Sequence, residues 1–172
     1  MTSEIGVLLR EAQRVFFEAM LDGYCGNCEK STKITTPNND KVIIYKSVDF
    51  KVEDRYSKKP ENSKSERLAG TTTIFIKENG IWFPFWRMFY GGYYPKHVIP
   101  FLKSVLAKTY ARQIFVGGRG HYLVAEGTLL YKNILDEDEE FSQFSGQEEI
   151  VDRRTDRTLG FHKYFGMAIL LE

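Results

Sequence analysis

Cys25 and Cys28, the only cysteines, stand in C-x-x-C spacing within GYCGNCEKS. A redox pair of that spacing opens a helix, whose N-terminal dipole stabilises the first thiolate. Here the pair follows a segment of helical periodicity, so it meets the negative end of a helix dipole, which disfavours a thiolate. Structural zinc needs a full tetrahedral ligand set. The chain has no second cysteine pair, and His97, His121 and His162 are distant in sequence. The expectation is ordinary loop thiols and no metal.

The stretch VGGRGH, Val116 to His121, offers flexible backbone and one guanidinium. Such glycine amides can form a nest for an anion, with Arg119 forking onto a carboxylate or phosphate. The spacing matches neither a phosphate loop nor a dinucleotide fingerprint. The plainer expectation is a turn between helix and strand, with Arg119 paired to a carboxylate. Asp136 to Glu140 is a carboxylate run without the glycine and closing glutamate of a calcium loop, and it reads as a solvated loop. Glu148 differs because it falls in a predicted strand beside Gly146. It is the candidate general acid or base, with His162 as a further catalytic candidate and Arg119 or His162 polarising a substrate. The competing expectation is a salt bridge from Glu148 to Arg153 or Arg119. No nucleophile motif such as G-x-S-x-G occurs.

Aromatic residues carry the strongest signal. In period two, Trp82, Pro84, Trp86, Met88 and Tyr90 share one face, and Phe83, Phe85, Arg87 and Phe89 share the other. Both faces are apolar, so this strand is covered on two sides or lines a cavity. A matching strand carries Phe161, Tyr164 and Phe165, and Arg87 and His162 are the polar groups inside the pair. Ligand pockets combine apolar walls with a few placed polar groups. The predicted ligand-binding residues are therefore Trp82, Trp86, Arg87, Tyr90, Arg119, Phe161 and His162, in a cleft between two halves of the chain. Whether Asp54 and Glu148 converge on Arg87, Arg119 and His162 is left open by the sequence.

The elements that must position them follow from pattern. Ser3 caps a helix running to about Leu21, with Gly23 as a left-handed stop. Val42 to Ser57 reads as extended, and Lys58 to Ala69 as a charged, mobile loop. Gly70 to Gly92 is a hairpin turning at Asn79-Gly80. Pro95 to about Arg112 reads as a second helix, with Pro100 either in its first turn or marking its true beginning. Extended segments follow, with a turn at Glu126-Gly127 and a last hairpin ending the chain.

The halves match in order. Val52-Glu53-Asp54 parallels Tyr131-Lys132-Asn133, and Ala69-Gly70 with Ile74 parallels Ser145-Gly146 with Ile150. Trp86 to Gly91 parallels Phe161 to Gly166. The expected fold is α+β: one domain over residues 1–172, from an internal duplication of about 3–92 and 93–170. Each repeat is a helix plus about three strands, and the repeats share an antiparallel sheet in two layers.

The segments W-R-M-F-Y-G-G (Trp86 to Gly92), F-L-K-S-V-L (Phe101 to Leu106), G-R-G (Gly118 to Gly120), Y-K-N (Tyr131 to Asn133) and F-S-G-Q-E-E-I (Phe144 to Ile150) resemble the bacterial domain-of-unknown-function family numbered 5680. The likeness covers most of the chain and lies in the order of short motifs. That family has no assigned activity. Its domains resemble stand-alone proteins or tails of helix-turn-helix regulators, which implies a sensing or interaction role. Where the family tends to carry G-x-E in its first half, this chain has Gly70-Thr71-Thr72, leaving Glu148 alone of that pair.

Composition bounds the function. With 24 Lys+Arg against 23 Asp+Glu, the net charge of +1 argues against direct nucleic-acid binding. No apolar run reaches the ~20 residues of a membrane span. The expectation is a cytoplasmic, non-catalytic domain that binds a small molecule or protein partner in an aromatic cleft, without cofactor or membrane. The alternative is a small enzyme built on Glu148, and a third reading is a purely interacting module. The sequence does not indicate an oligomeric state.

Overall fold

The computed structural model describes residues 4–58, 67–136 and 140–169. The element order is α1 (Glu4–Asp22), β1 (Thr32–Thr35), β2 (Asp40–Lys46), β3 (Phe50–Lys58), β4 (Arg67–Glu78), β5 (Ile81–Tyr93), α2 (Ile99–Ala111), β6 (Leu123–Glu126), β7 (Leu129–Leu135), β8 (Gln143–Asp152) and β9 (Arg157–Ala168). A 3-10 turn at Lys96–Val98 leads into α2, whose first turn holds Pro100, where a missing N–H costs nothing. The expected cap at Ser3, most of the charged segment after Lys58 and the middle of the acidic run lie outside the described residues.

All nine strands form one antiparallel sheet in the order β1-β2-β3-β4-β5-β9-β8-β7-β6. The strands before α2 occupy one side, those after it the other, and the two sets meet where β5 pairs with β9. Strands outnumber the expected three per helix. Val42 to Ser57 breaks into β2 and β3 at Ser47, whose N–H donates to the Phe50 carbonyl. The exposed Val48 in that turn hid it, because a β-branched residue reads as strand. Asn79 and Gly80 turn the β4–β5 hairpin with φ of 49° and 83°, the left-handed pair that an Asn-Gly turn supplies.

Gly23 is not the left-handed stop expected after α1. A Cβ there would lie 2.7 Å from Ile43 Cγ2 and 2.9 Å from the Ala19 carbonyl, so it is close packing against β2 that needs the glycine.

The helices pack on each other and against the sheet, α1 on β3 and α2 on β7. Phe16 of α1 meets Trp86 of β5 at 5.4 Å between rings and Tyr110 of α2 at 6.0 Å. Trp86 stacks on Phe141 at 4.8 Å, lies 5.5 Å from Phe144, and donates Nε1–H to the Phe141 carbonyl at 2.7 Å. It is wholly buried, and its polar tip is satisfied by backbone.

Strict alternation along β5 fails at one residue. Ile74 pairs with Trp86 and Phe75 with Pro84, so Phe85 is an inserted residue. Both Phe85 and Trp86 are buried, and the bulge changes which residues share a face. Trp82, expected beside Trp86, instead pairs with Lys77, whose ammonium lies 5.6 Å from its ring.

Candidate functional site

The buried polar residues gather where the two sets of strands meet. Successive cross-strand pairs draw two rows across the sheet. One runs Asp54, Thr72, Met88, Gly166, Phe144; the other runs Asn133, Glu148, His162, Gly92, Leu68. Between them, Tyr90 pairs directly with Tyr164, flanked by Gly70 and Gly146. A Cβ at Gly70 would lie 2.6 Å from the Tyr90 hydroxyl, and one at Gly146 would lie 2.6 Å from the Tyr164 hydroxyl. The glycines are thus the space through which both tyrosines reach inward, Tyr90 to Asp54 and Tyr164 to Asn133.

The second row is closed by a tied-down loop. Gly117 and Gly118 take φ of 62° and 67°, a backbone that places Arg119 inside the protein. The loop is held by Tyr110 donating to the Gly118 carbonyl (2.9 Å), Gly120 N–H donating to the Tyr131 hydroxyl (2.9 Å), and Asn133 Nδ2 donating to the Val116 and Gly120 carbonyls (3.1 and 2.7 Å). Arg119, 3% exposed, donates from Nη2 to Oε1 of Glu148, which is fully buried. Tyr131 donates its hydroxyl to Oε2. Burial alone would raise the Glu148 pKa, but the Arg119 charge overrides it and holds the carboxyl below the usual range. Arg153, the other partner considered, instead donates to the Gly127 carbonyl at the sheet's edge.

The first row is only half closed. Asp54, 4% exposed, accepts at Oδ1 from Thr72 Oγ1 and the Tyr90 hydroxyl, each at 2.8 Å. Its Oδ2 has no hydrogen-bond partner among the described residues. Burial pushes the Asp54 carboxyl above its ordinary pKa, the two hydrogen bonds and the Arg119 and Lys33 charges opposing. Tyr90 links this carboxylate to the second row, its ring 6.0 Å from that of His162. His162 also lies 4.8 Å from the Tyr94 ring, with Nδ1 3.6 Å from Glu148 Oε1. Burial and the Arg119 charge push His162 down to about 4, so its imidazole is neutral at pH 7.

Six buried side-chain nitrogen or oxygen atoms make no well-formed hydrogen bond among the described residues, and five belong to this one cluster: Asp54 Oδ2, Arg119 Nε, and Tyr94 Oη and both ring nitrogens of His162, with Glu148 acting on the Tyr94 hydroxyl and on His162 Nδ1. Buried polar groups are otherwise nearly always hydrogen-bonded.

Of the residues expected to form a binding wall, His162, Arg119 and Tyr90 meet here. Trp86 is enclosed by core side chains. Arg87 points to the opposite face of the sheet, donating to Thr73 at 3.0 Å, and Phe161 also faces that way, edge-on to Tyr93. Trp82 lies beyond the bulge. Glu148 meets Arg119 and His162 directly, Asp54 reaches them through Tyr90 and the Arg119 charge, and Arg87 stays apart. Thr72, Tyr94, Tyr131 and Asn133 were not foreseen. Their signal was alternation: Val52 with Asp54, and Tyr131 with Asn133, put a polar side chain on the buried face of an otherwise apolar row.

On the far face, a groove of about 760 Å³ crosses β5 and β9, with Phe89 stacked on Phe165 at 5.0 Å and Arg55 and Lys163 among its lining residues. Cys25 and Cys28 are free thiols, and burial pushes Cys25 up to about 12, away from thiolate chemistry. Among the described residues, no group of three His, Cys, Asp or Glu is placed to hold a metal ion, and no helix is long and apolar enough to cross a membrane.

No protein family, curated protein or solved structure matches this chain.

Proposed function

We propose that the chain is a non-catalytic ligand-binding domain made of two related halves, with its site in the buried polar cluster at their junction. The observation that carries this reading is the set of five buried polar atoms, on Asp54, Tyr94, Arg119 and His162, that make no well-formed hydrogen bond among the described residues. Ordered water satisfies isolated groups of this kind, at about one water per 27 residues. A carboxylate oxygen, a guanidinium N–H, a neutral imidazole and a phenol converging in one place form the donor and acceptor set of a ligand pocket.

The duplication is supported by the paired rows. With helices on one face, it gives a two-layer α+β domain whose halves are related about the Tyr90–Tyr164 pair. The resemblance to the bacterial family numbered 5680 fits a sensing role in the cytoplasm. It also places the family's two glutamate positions at Thr72 and Glu148, which occupy corresponding places in the two rows.

An enzyme built on Glu148 is disfavoured by that carboxylate's own partners. Both oxygens are occupied, and a carboxylate held below its usual pKa is a poor acid and a weak base. A catalytic reading fits Asp54 better, since its carboxyl has a raised pKa and an open oxygen.

The test is a small-molecule screen by thermal shift and native mass spectrometry. Hits on the parent should be lost or weakened in Tyr94→Phe and His162→Leu. Hits insensitive to both variants would place the site elsewhere, the groove on the far face being the next candidate.

A further inference from the structure

We infer that the buried polar cluster selects a small organic cation, such as a protonated amine, seated on the open oxygen of Asp54 among tyrosine side chains. The inference rests on the ligand-binding reading above and gives that site a charge preference.

Charge accounting comes first. The cluster contains two carboxylates and one guanidinium, with His162 neutral at pH 7. Arg119 donates to Glu148, and that pair is closed by Tyr131. Asp54 is left as the carboxylate with no cation bonded to it among the described residues. Lys33, on β1, and Arg119 act on it at a distance without an ion pair. Ionising a carboxyl that is 4% exposed and unpaired is costly, which is why burial raises its pKa, and a ligand placing a single positive charge on the open oxygen removes that cost.

Tyr90 bonds Asp54 through its hydroxyl, and Tyr24 and Tyr56 are within electrostatic reach of the same carboxylate. Tyrosine faces attract ammonium and aromatic cations. Tyr24 is only partly buried and lies 5.3 Å under the Lys103 ammonium, where the loop after α1 meets α2. The Arg119 Nε, the Tyr94 hydroxyl and the His162 ring nitrogens then offer hydrogen bonds to a polar atom elsewhere on the ligand.

The experiment uses three probes of nearly one shape on the unmodified full chain: benzylamine, benzyl alcohol and benzoate, titrated by calorimetry at neutral pH. The inference expects benzylammonium to bind at least tenfold more tightly than the alcohol, and benzoate to bind least. Asp54→Asn should erase the preference for benzylammonium over the alcohol. Equal affinity for amine and alcohol, preference for benzoate, or a preference that survives Asp54→Asn would overturn it. Because the charge series needs no variant, it decides the matter even if Asp54→Asn fails to fold. Binding of the alcohol or benzoate alone would leave the ligand-binding reading standing and remove the cation preference. Binding by none of the three would remove both.

Discussion

Asp54 and Glu148 are carboxylates on the same face of one sheet, each almost sealed from water, yet they are treated in opposite ways. Glu148 has a guanidinium on one oxygen and a phenol on the other, and its arginine comes from a loop fastened by hydrogen bonds from Tyr110, Asn133 and Gly120. Asp54 has two neutral donors on one oxygen and none on the other among the described residues. Across from Asp54 on β4 stands Thr72; across from Glu148 on β7 stands Asn133. The acidic group lies on β3 on one side of the sheet and on β8 on the other, and the arginine bonds only the second. The difference teaches that burial alone does not mark a structural charge. Glu148 fixes a loop, and Asp54 holds an unspent interaction.

The largest effect should come from breaking the closed side. Arg119→Met leaves Glu148 buried without its cation, and removing one partner of a buried pair costs about 3–5 kcal/mol. Urea titration should find that loss, and a loss below about 1 kcal/mol would mean Glu148 is satisfied by other groups.

Next comes pH. His162 has a folded pKa near 4, below its unfolded value of about 6.5. The unfolded chain therefore binds the proton first, and stability is lost as pH falls from about 6.5 to 4, by roughly 3 kcal/mol. Glu148, with its pKa lowered, adds to the acid loss below its ordinary value, whereas Asp54, with its pKa raised, opposes it, because the folded state takes up its proton more readily. His162→Leu should flatten the stability profile between pH 4 and 6.5, as followed by thermal melts.

Much of this was legible in the sequence, and the failures have physical causes. Both helices follow from apolar spacing, and the β4–β5 hairpin from Asn79-Gly80. Arg119 as the carboxylate partner of Glu148 was among the expected outcomes. The faces of β5 were not legible, because nothing in IWFPFWRMFY shows that Phe85 is a bulge. In the last strand the sheet's pairing differs by one residue from the expected match between the halves. The observed pairs relate Tyr90 to Tyr164 and Met88 to His162, where Trp86 to Gly91 had been set against Phe161 to Gly166. One residue flips a strand's faces, which is why Arg87, on the outer face, was taken as the counterpart of His162, on the inner one. Asp54 was noticed but not chosen, since its partners Thr72 and Tyr90 come from two other strands and only the sheet's register brings them together.

A smaller effect tests whether the halves correspond at all. Gly70→Ala and Gly146→Ala each push a Cβ to 2.6 Å from a tyrosine hydroxyl and 2.6 Å from a carbonyl oxygen. Overpacking of this kind costs about 1–3 kcal/mol, and the two variants should lose similar amounts in chemical denaturation. A loss confined to one of them would argue against corresponding positions.

The contrast itself is tested most directly by comparing the unfolding free energies of Asp54→Asn and Glu148→Gln at neutral pH. Asparagine keeps an oxygen for Thr72 and Tyr90 and removes a carboxyl whose ionised form burial disfavours, so Asp54→Asn should stay within about 1 kcal/mol of the parent or exceed it. Glutamine leaves Arg119 as an unpaired buried cation, so Glu148→Gln should lose about 3 kcal/mol or more. Equal losses in the two variants would mean that Asp54 is as structural as Glu148, and would contradict the account.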